Sequence, residues 1–124
     1  MTKKRIISLL AALAAVAAIL PATALARSSY CSTSGDVCYG VVKNSSPVKL
    51  RIVIAARYFS HYRLCIKAPK NRGTECHRFS VHKAARGSFA STVVWPKHFK
   101  YYGKGTYHAS WSTGGSSLGP AVKF

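Results

Sequence analysis

Carboxylates are almost missing from this chain. Its 124 residues hold two, Asp36 and Glu75, against 19 Lys and Arg, for a net charge of +17. That imbalance excludes an acidic, solvating disordered chain. It also leaves too little material for paired-carboxylate catalysis or for binding hard cations, so no enzymatic activity is expected. Two carboxylates flanking a glycosidic bond must stand roughly 5–10 Å apart in one cleft. Nothing places Asp36, inside the Cys31 to Cys38 segment, beside Glu75, the neighbour of Cys76. No nucleophile-elbow pattern points to a serine hydrolase. No long apolar run follows residue 26, which excludes a multi-span membrane protein. The cysteines form no CxxC spacing, and the histidines (His61, His77, His82, His98 and His108) are scattered, so neither a metal nor another cofactor is expected. Helical periodicity is missing after residue 26, internal repeats are missing throughout, and the length allows one domain.

What is present begins with an address. Lys3, Lys4 and Arg5 precede an apolar run from Ile6 to Leu20, interrupted only by Ser8, and Pro21 ends its helix. Ala24-Leu25-Ala26 is a small-x-small cleavage site. Residues 1–26 therefore read as a helical signal peptide and 27–124 as one exported domain, secreted to the extracellular space. The apolar run is shorter than the ~20 residues of a spanning helix, so no membrane anchor is expected after cleavage. Without Lys3, Lys4 and Arg5, 16 basic residues face two acids, and the exported domain carries +14.

All four cysteines, Cys31, Cys38, Cys65 and Cys76, lie in that domain. An even count in an exported chain reads as disulfides, with three possible connectivities. We expect Cys31–Cys38 and Cys65–Cys76, because each pair brackets a turn-like segment: Ser32 to Asp36, and Pro69 to Gly73. Loops this short should stabilise by roughly 2.5–3 kcal/mol each in the chain-entropy account. That matters for a small domain, which buries only ~60–70% of its unfolded surface.

The rest of the chain is a series of short apolar/polar alternations closed by turn residues, the pattern of β-strands. Seven are expected, at Val37–Lys43, Val48–Ala56, Tyr62–Ala68, Glu75–His82, Ser88–Trp95, Gly105–Ser112 and Ser117–Phe124. Strand two sends Val48, Leu50, Ile52 and Ile54 one way. Strand three buries Tyr62, Leu64 and Ile66, strand four His77, Phe79 and Val81, and strand six Tyr107, Ala109 and Trp111. Cys65 and Cys76 then share one face of a hairpin, as a cross-strand disulfide requires. Gly114-Gly115 makes the last turn, and Pro120, with no N–H to donate, marks an edge strand. The fold expected is all-β, a single seven-stranded antiparallel sandwich.

Gly103-Lys104-Gly105-Thr106-Tyr107, followed by Ala109 and Trp111, resembles the tyrosine corner that opens the sixth strand of immunoglobulin-like sandwiches. The layout over 37–124 is similar to immunoglobulin and fibronectin type III modules. It lacks their tryptophan on strand three and cysteines on strands two and six. The ending Tyr107-x3-Trp111-x2-Gly114-Gly115-x2-Leu118-Gly119-Pro120-x3-Phe124 resembles the tails of small secreted proteins of actinobacterial type. The resemblance implies export and a sandwich, and no activity.

The informative feature is the charge, since such a potential draws in polyanions and anionic surfaces. The segment Trp95 to Lys104 interleaves basic and aromatic residues between two strands, with Lys97, Lys100, Tyr101, Tyr102 and Lys104 as candidate binding residues and Phe99 as a core plug. There Lys would neutralise charge and Tyr would stack on sugars or bases. A second candidate patch is the outer face of the strand three–four hairpin: Arg63, Lys67 and Arg78, with Lys70 and Arg72 in its turn. The expected protein is a monomeric, non-catalytic module adhering to anionic polymer of the cell envelope. The alternative is a secreted antagonist, either membrane-active or an inhibitor of a protease or nuclease presenting the Cys31–Cys38 loop.

Overall fold

In the computed structural model, residues 28–124 are described. The expected signal peptide, and Arg27 after it, lie outside the described residues. Ten strands and one α-helical turn follow in order, with short 3-10 turns at Pro69–Asn71 and Ala85–Gly87: β1 (Ser29–Cys31), β2 (Val37–Val41), β3 (Lys49–Ile54), β4 (His61–Lys67), β5 (Thr74–Ser80), β6 (His82–Lys83), β7 (Phe89–Val94), α1 (Trp95–His98), β8 (His108–Thr113), β9 (Ser116–Ser117) and β10 (Val122–Lys123). Sheet I has the order β1-β2-β3-β7-β6. Sheet II has the order β10-β8-β4-β5, with β9 added to β8. Every pairing is antiparallel.

The alternation in the sequence places the core between the sheets. Leu50, Ile52 and Ile54 of β3, Leu64 of β4 and Ala109 of β8 are wholly buried, and Tyr62, Ile66 and Trp111 nearly so. Each buried aliphatic side chain contributes roughly 1.5–3 kcal/mol. A surface ion pair adds about 0–1 kcal/mol, so the apolar face, not the charge, holds the sandwich together. Two contacts illustrate how the layer is crossed. Tyr39 of β2 stacks on Trp111 of β8, with ring centroids 4.4 Å apart. The Tyr62 hydroxyl of β4 hydrogen-bonds the Ser91 hydroxyl of β7 at 2.7 Å, so each buried group satisfies the other. Burial pushes the Tyr62 phenol up to about 12, with the Ser91 bond offsetting part of the rise. It therefore stays a neutral hydroxyl at ordinary pH.

The strand count corrects the expected seven, in three places. Ser29–Cys31 is too short and polar to show alternation, yet it pairs with β2 through the register Cys31↔Cys38. The expected fourth strand divides at Val81. Thr74–Ser80 pairs with β4 in sheet II, whereas His82–Lys83 pairs with β7 in sheet I. The expected seventh strand divides at Leu118–Ala121, where the Tyr39 hydroxyl donates to the Pro120 carbonyl at 2.6 Å and draws the chain toward β2. Strand five stops at Val94, not Trp95. Pro96 sits in the first turn of α1, where its fixed φ suits a helix and no N–H is required. The expected absence of helix after residue 26 thus fails at one turn. Strand six begins at His108, not Gly105.

Both expected disulfides form. Cys31–Cys38 and Cys65–Cys76 each join directly opposed residues with Cα atoms 4.0 Å apart. They place the chain in an oxidising compartment. Among the described residues no helix is long and apolar enough to cross a membrane.

The crossing from sheet I to sheet II at residues 95–107 is held by Tyr107. Its hydroxyl donates to the Gly103 carbonyl and accepts the Tyr102 N–H, both at 2.8 Å. Gly105 lets this corner close on the β4–β5 turn. A Cβ there would lie 2.6 Å from Cβ of Pro69, and its φ of +142° is one that side chains disfavour.

Candidate functional site

The outer face of sheet II follows from register and alternation. On β4 it presents His61, Arg63, Cys65 and Lys67, and on β5 Ser80, Arg78, Cys76 and Thr74. On β8 it presents Ser112, Ser110 and His108. Arg63 lies directly opposite Arg78 on one side and Ser112 on the other. The Cys65–Cys76 disulfide lies two residues along from the arginine pair. A trough of about 960 Å³ covers this part of the face, lined by His61, Arg63, Arg78, the disulfide and the Gly114-Gly115 turn, among others. No side-chain carboxylate lines it. The turn forms as expected, as a two-residue hairpin loop with φ positive at both glycines, which glycine alone adopts freely.

A smaller cleft of about 370 Å³ lies at the opposite end of β4. Lys67, Pro69, Lys70 and His108 line it together with Gly105 and Thr106. The cleft thus sets Lys67 and Lys70 of the hairpin patch beside the two residues that follow Lys104, while Lys97, Lys100, Tyr101, Tyr102 and Lys104 do not line it. His61, His108 and Ser112 were not among the expected site residues. Alternation marks them as outward-facing, but only the long-range β4–β8 register brings Ser112 beside Arg63.

The segment 95–104 is less of a free loop than expected. Trp95 and Phe99 are buried, and Phe99 is the core plug anticipated for it. Lys97, Lys100 and Lys104 are exposed, Tyr101 is 58% exposed, and Tyr102 is half-buried beneath Lys100, whose Nζ lies 5.2 Å from the ring centroid. The tether is Glu75 at the edge of sheet II. Its Oε1 accepts the Lys100 backbone N–H at 2.9 Å, and its Oε2 accepts Nε2–H of His77 at 2.8 Å. His77, expected inside, is 42% exposed along its side chain because β5 is an edge strand. Its ring packs edge-on against Phe99 at 4.9 Å.

The backbone bond from Lys100, followed by that from His77, holds the Glu75 carboxyl below its ordinary value of 4.5. A lowered folded pKa means that the clamp's stabilisation is fully present above pH 4.5 and is lost as the pH falls through the lowered value. The Glu75 side chain is 36% exposed, so solvent screens the effect, and the loss should be local to the corner. In an NMR pH titration, the Lys100 amide should shift with a midpoint below 4.5, and Glu75→Gln should remove that inflection. A midpoint at the ordinary value would show that the clamp does not form.

Glu75 is thus occupied by the Lys100 amide and by His77, itself a lining residue of the trough, and Asp36 lies in the β1–β2 turn of the other sheet. Neither lines the trough or the smaller cleft. Among the described residues no three of His, Cys, Asp or Glu come together as a metal site. The Cys31–Cys38 segment closes a tight hairpin whose tip, Thr33 to Gly35, is exposed. No protein-family model, curated protein or solved structure matches the chain.

Proposed function

We propose that this chain is a secreted, non-catalytic, immunoglobulin-like cationic module that adheres to anionic polymers of the cell envelope. One observation carries the adhesive part of the reading. The outer face of β4, β5 and β8 is built from arginines, a lysine, imidazoles, hydroxyls and the Cys65–Cys76 disulfide, with no side-chain carboxylate among them. A surface designed only for solubility interleaves both signs. This face and the adjoining corner with Lys97, Lys100, Tyr101 and Lys104 present mainly positive charge to solvent, with the partly exposed Glu75 tied to the Lys100 amide and His77, and such a surface concentrates polyanions and speeds their encounter.

The immunoglobulin-like part is supported by strand order. In chain order β2 to β8, followed by β10, fits the A, B, C, C′, D, E, F, G series, with A-B-E-D in one sheet and G-F-C-C′ in the other. The Tyr107 hydroxyl returning to the Gly103 carbonyl has the hydrogen bond of a tyrosine corner. The disulfides are local instead of inter-sheet, and the Tyr39–Trp111 stack spans the core between β2 and β8.

The test is retention of the oxidised exported chain on anionic liposomes, DNA, teichoic acid, an acidic polysaccharide and a neutral glycan, at low and near-physiological salt. Retention on the anionic members alone is expected, with the logarithm of affinity falling linearly with the logarithm of salt. Changing Lys97, Lys100 and Lys104 together to Glu should weaken it. Equal retention on the neutral glycan, or none on any polyanion at low salt, would overturn the reading.

A further inference from the structure

Resting on that polyanion reading, we infer that the trough over Arg63 and Arg78 is a phosphate subsite. It takes a phosphodiester group of a sugar- or polyol-phosphate chain between the two guanidinium groups.

The argument starts from an unfavourable arrangement. In an antiparallel pair, opposed residues alternate between a wide, hydrogen-bonded spacing and a narrow one, so positions two apart are of one type. Cys65 and Cys76 have Cα atoms only 4.0 Å apart. Arg63 and Arg78, two residues along on the same face, therefore form a narrow pair as well. Like charges directly opposed destabilise a sheet. Nothing within the trough relieves this pair, since its lining holds no side-chain carboxylate and its next neighbour across β8 is Ser112. A bound anion would relieve it. Positions that break a stability rule without internal compensation are expected at functional sites.

The shape and donor chemistry narrow the anion. At about 960 Å³ the trough is large enough for more than one unit of a polymer. A planar carboxylate offers both oxygens to one fork. A tetrahedral phosphodiester turns its two non-bridging oxygens apart, so two guanidinium groups approaching from neighbouring strands can each hold one. The trough offers little for bases to stack upon. The exposed rings that do line it are the small imidazoles of His61 and His77, Tyr62 is buried beneath it and Phe59 is half-buried, and the well-exposed Tyr58 and Tyr101 are not among its lining residues. Nucleic-acid channels that grip single strands rely on such exposed aromatic faces. A base-free chain is therefore the better fit.

The experiment uses the oxidised exported chain with three probes of matched length and charge: poly(glycerol phosphate), poly-glutamate and single-stranded DNA, at near-physiological salt. The variant Arg63→Lys/Arg78→Lys keeps the net charge and removes the forks. It should bind poly(glycerol phosphate) on the order of tenfold more weakly, the size of one lost charge-assisted hydrogen bond, and poly-glutamate unchanged. Lys43→Gln, in the β2–β3 turn, removes a charge elsewhere and should have a smaller effect on the phosphate polymer. An equal loss on poly-glutamate, or a loss no larger than that of Lys43→Gln, would overturn the subsite while leaving general adhesion standing. No binding of the unaltered chain to any probe, even at low salt, would instead remove the adhesion reading itself. The same arginine dependence on single-stranded DNA would overturn the choice of a base-free chain. A second readout separates ligand from scaffold. Arg78→Ser should unfold at the same or a higher temperature than the unaltered chain, because it removes a repulsion. A lower midpoint would show that Arg78 serves the fold and would overturn the argument from repulsion.

Discussion

Replacing Trp111 by alanine should lower the unfolding free energy by about 3–5 kcal/mol, the largest loss expected from any single substitution here. The reason is position as much as size. Trp111 is 1% exposed, and its ring lies against Tyr39 of the opposite sheet. Truncation removes the apolar area and the ring stack and leaves a cavity between two sheets that cannot both collapse into it. Domains of this kind hold roughly 5–15 kcal/mol in total, so the variant should be near the limit of folding at physiological temperature. Trp111→Phe should cost markedly less. It keeps an aromatic face against Tyr39 and removes an indole N–H that finds no protein acceptor. Guanidinium unfolding of the oxidised chain measures both. A Trp111→Ala loss below about 1 kcal/mol, the level of an ordinary surface change, would mean that the Tyr39–Trp111 stack does not hold the sheets together.

Removing the Cys65–Cys76 disulfide, as Cys65→Ser/Cys76→Ser, should cost about 2–5 kcal/mol. The chain-entropy account assigns nearly the same value to Cys31–Cys38, since the two loops differ little in length. The fold separates them. β5 is an edge strand that pairs only with β4, and its Arg78 is opposed by Arg63. Without the disulfide, repulsion acts on a strand with no other neighbour. β4 is also central to sheet II, so disorder at this ladder reaches the core through Leu64 and Ile66. Cys31–Cys38 closes a terminal hairpin, and its removal should release β1 while leaving β3 and β7 protected. Hydrogen exchange distinguishes these outcomes. The first variant should lose protection across Thr74–Ser80 and partly across the core, the second only near Ser29–Cys31. Identical exchange patterns for the two variants would contradict the separation.

The two predictions also mark where sequence reading succeeded. Period-2 alternation in Leu50-Arg51-Ile52 and in Tyr62 to Ile66 assigned each residue to a face, and burial follows that assignment. The disulfide pairs were legible because each links neighbouring strands across a short turn, so local spacing carried the information. The same holds for the Gly114-Gly115 turn, and for Tyr107, whose partner Gly103 is four residues away.

The candidate site was legible only in part. Arg63, Lys67 and Arg78 were placed outward correctly, but alternation says which face a residue occupies, not what stands beside it. That Arg63 has Ser112 as its other neighbour depends on a ladder between strands nearly fifty residues apart. Glu75 was visible as a rare acid. Its hold on the Lys100 amide, 25 residues on, was not, because a backbone N–H leaves no mark on residue type. The divisions at Val81 and at Gly119-Pro120 were hidden for a related reason. At Val81 the chain passes directly from sheet II to sheet I, so local propensity is the same on both sides, whereas β9 and β10 both pair with β8 and the break between them goes with the long-range bond from the Tyr39 hydroxyl to the Pro120 carbonyl. By itself, then, the sequence determined the β class, the faces of β3, β4 and β8, the cross-links and the sign of the charge, all properties set within about ten residues, while it did not determine the strand count or the exposure of His77. The tertiary structure alone decided which strands became neighbours, and with that the trough, the opposed arginines and the clamped corner.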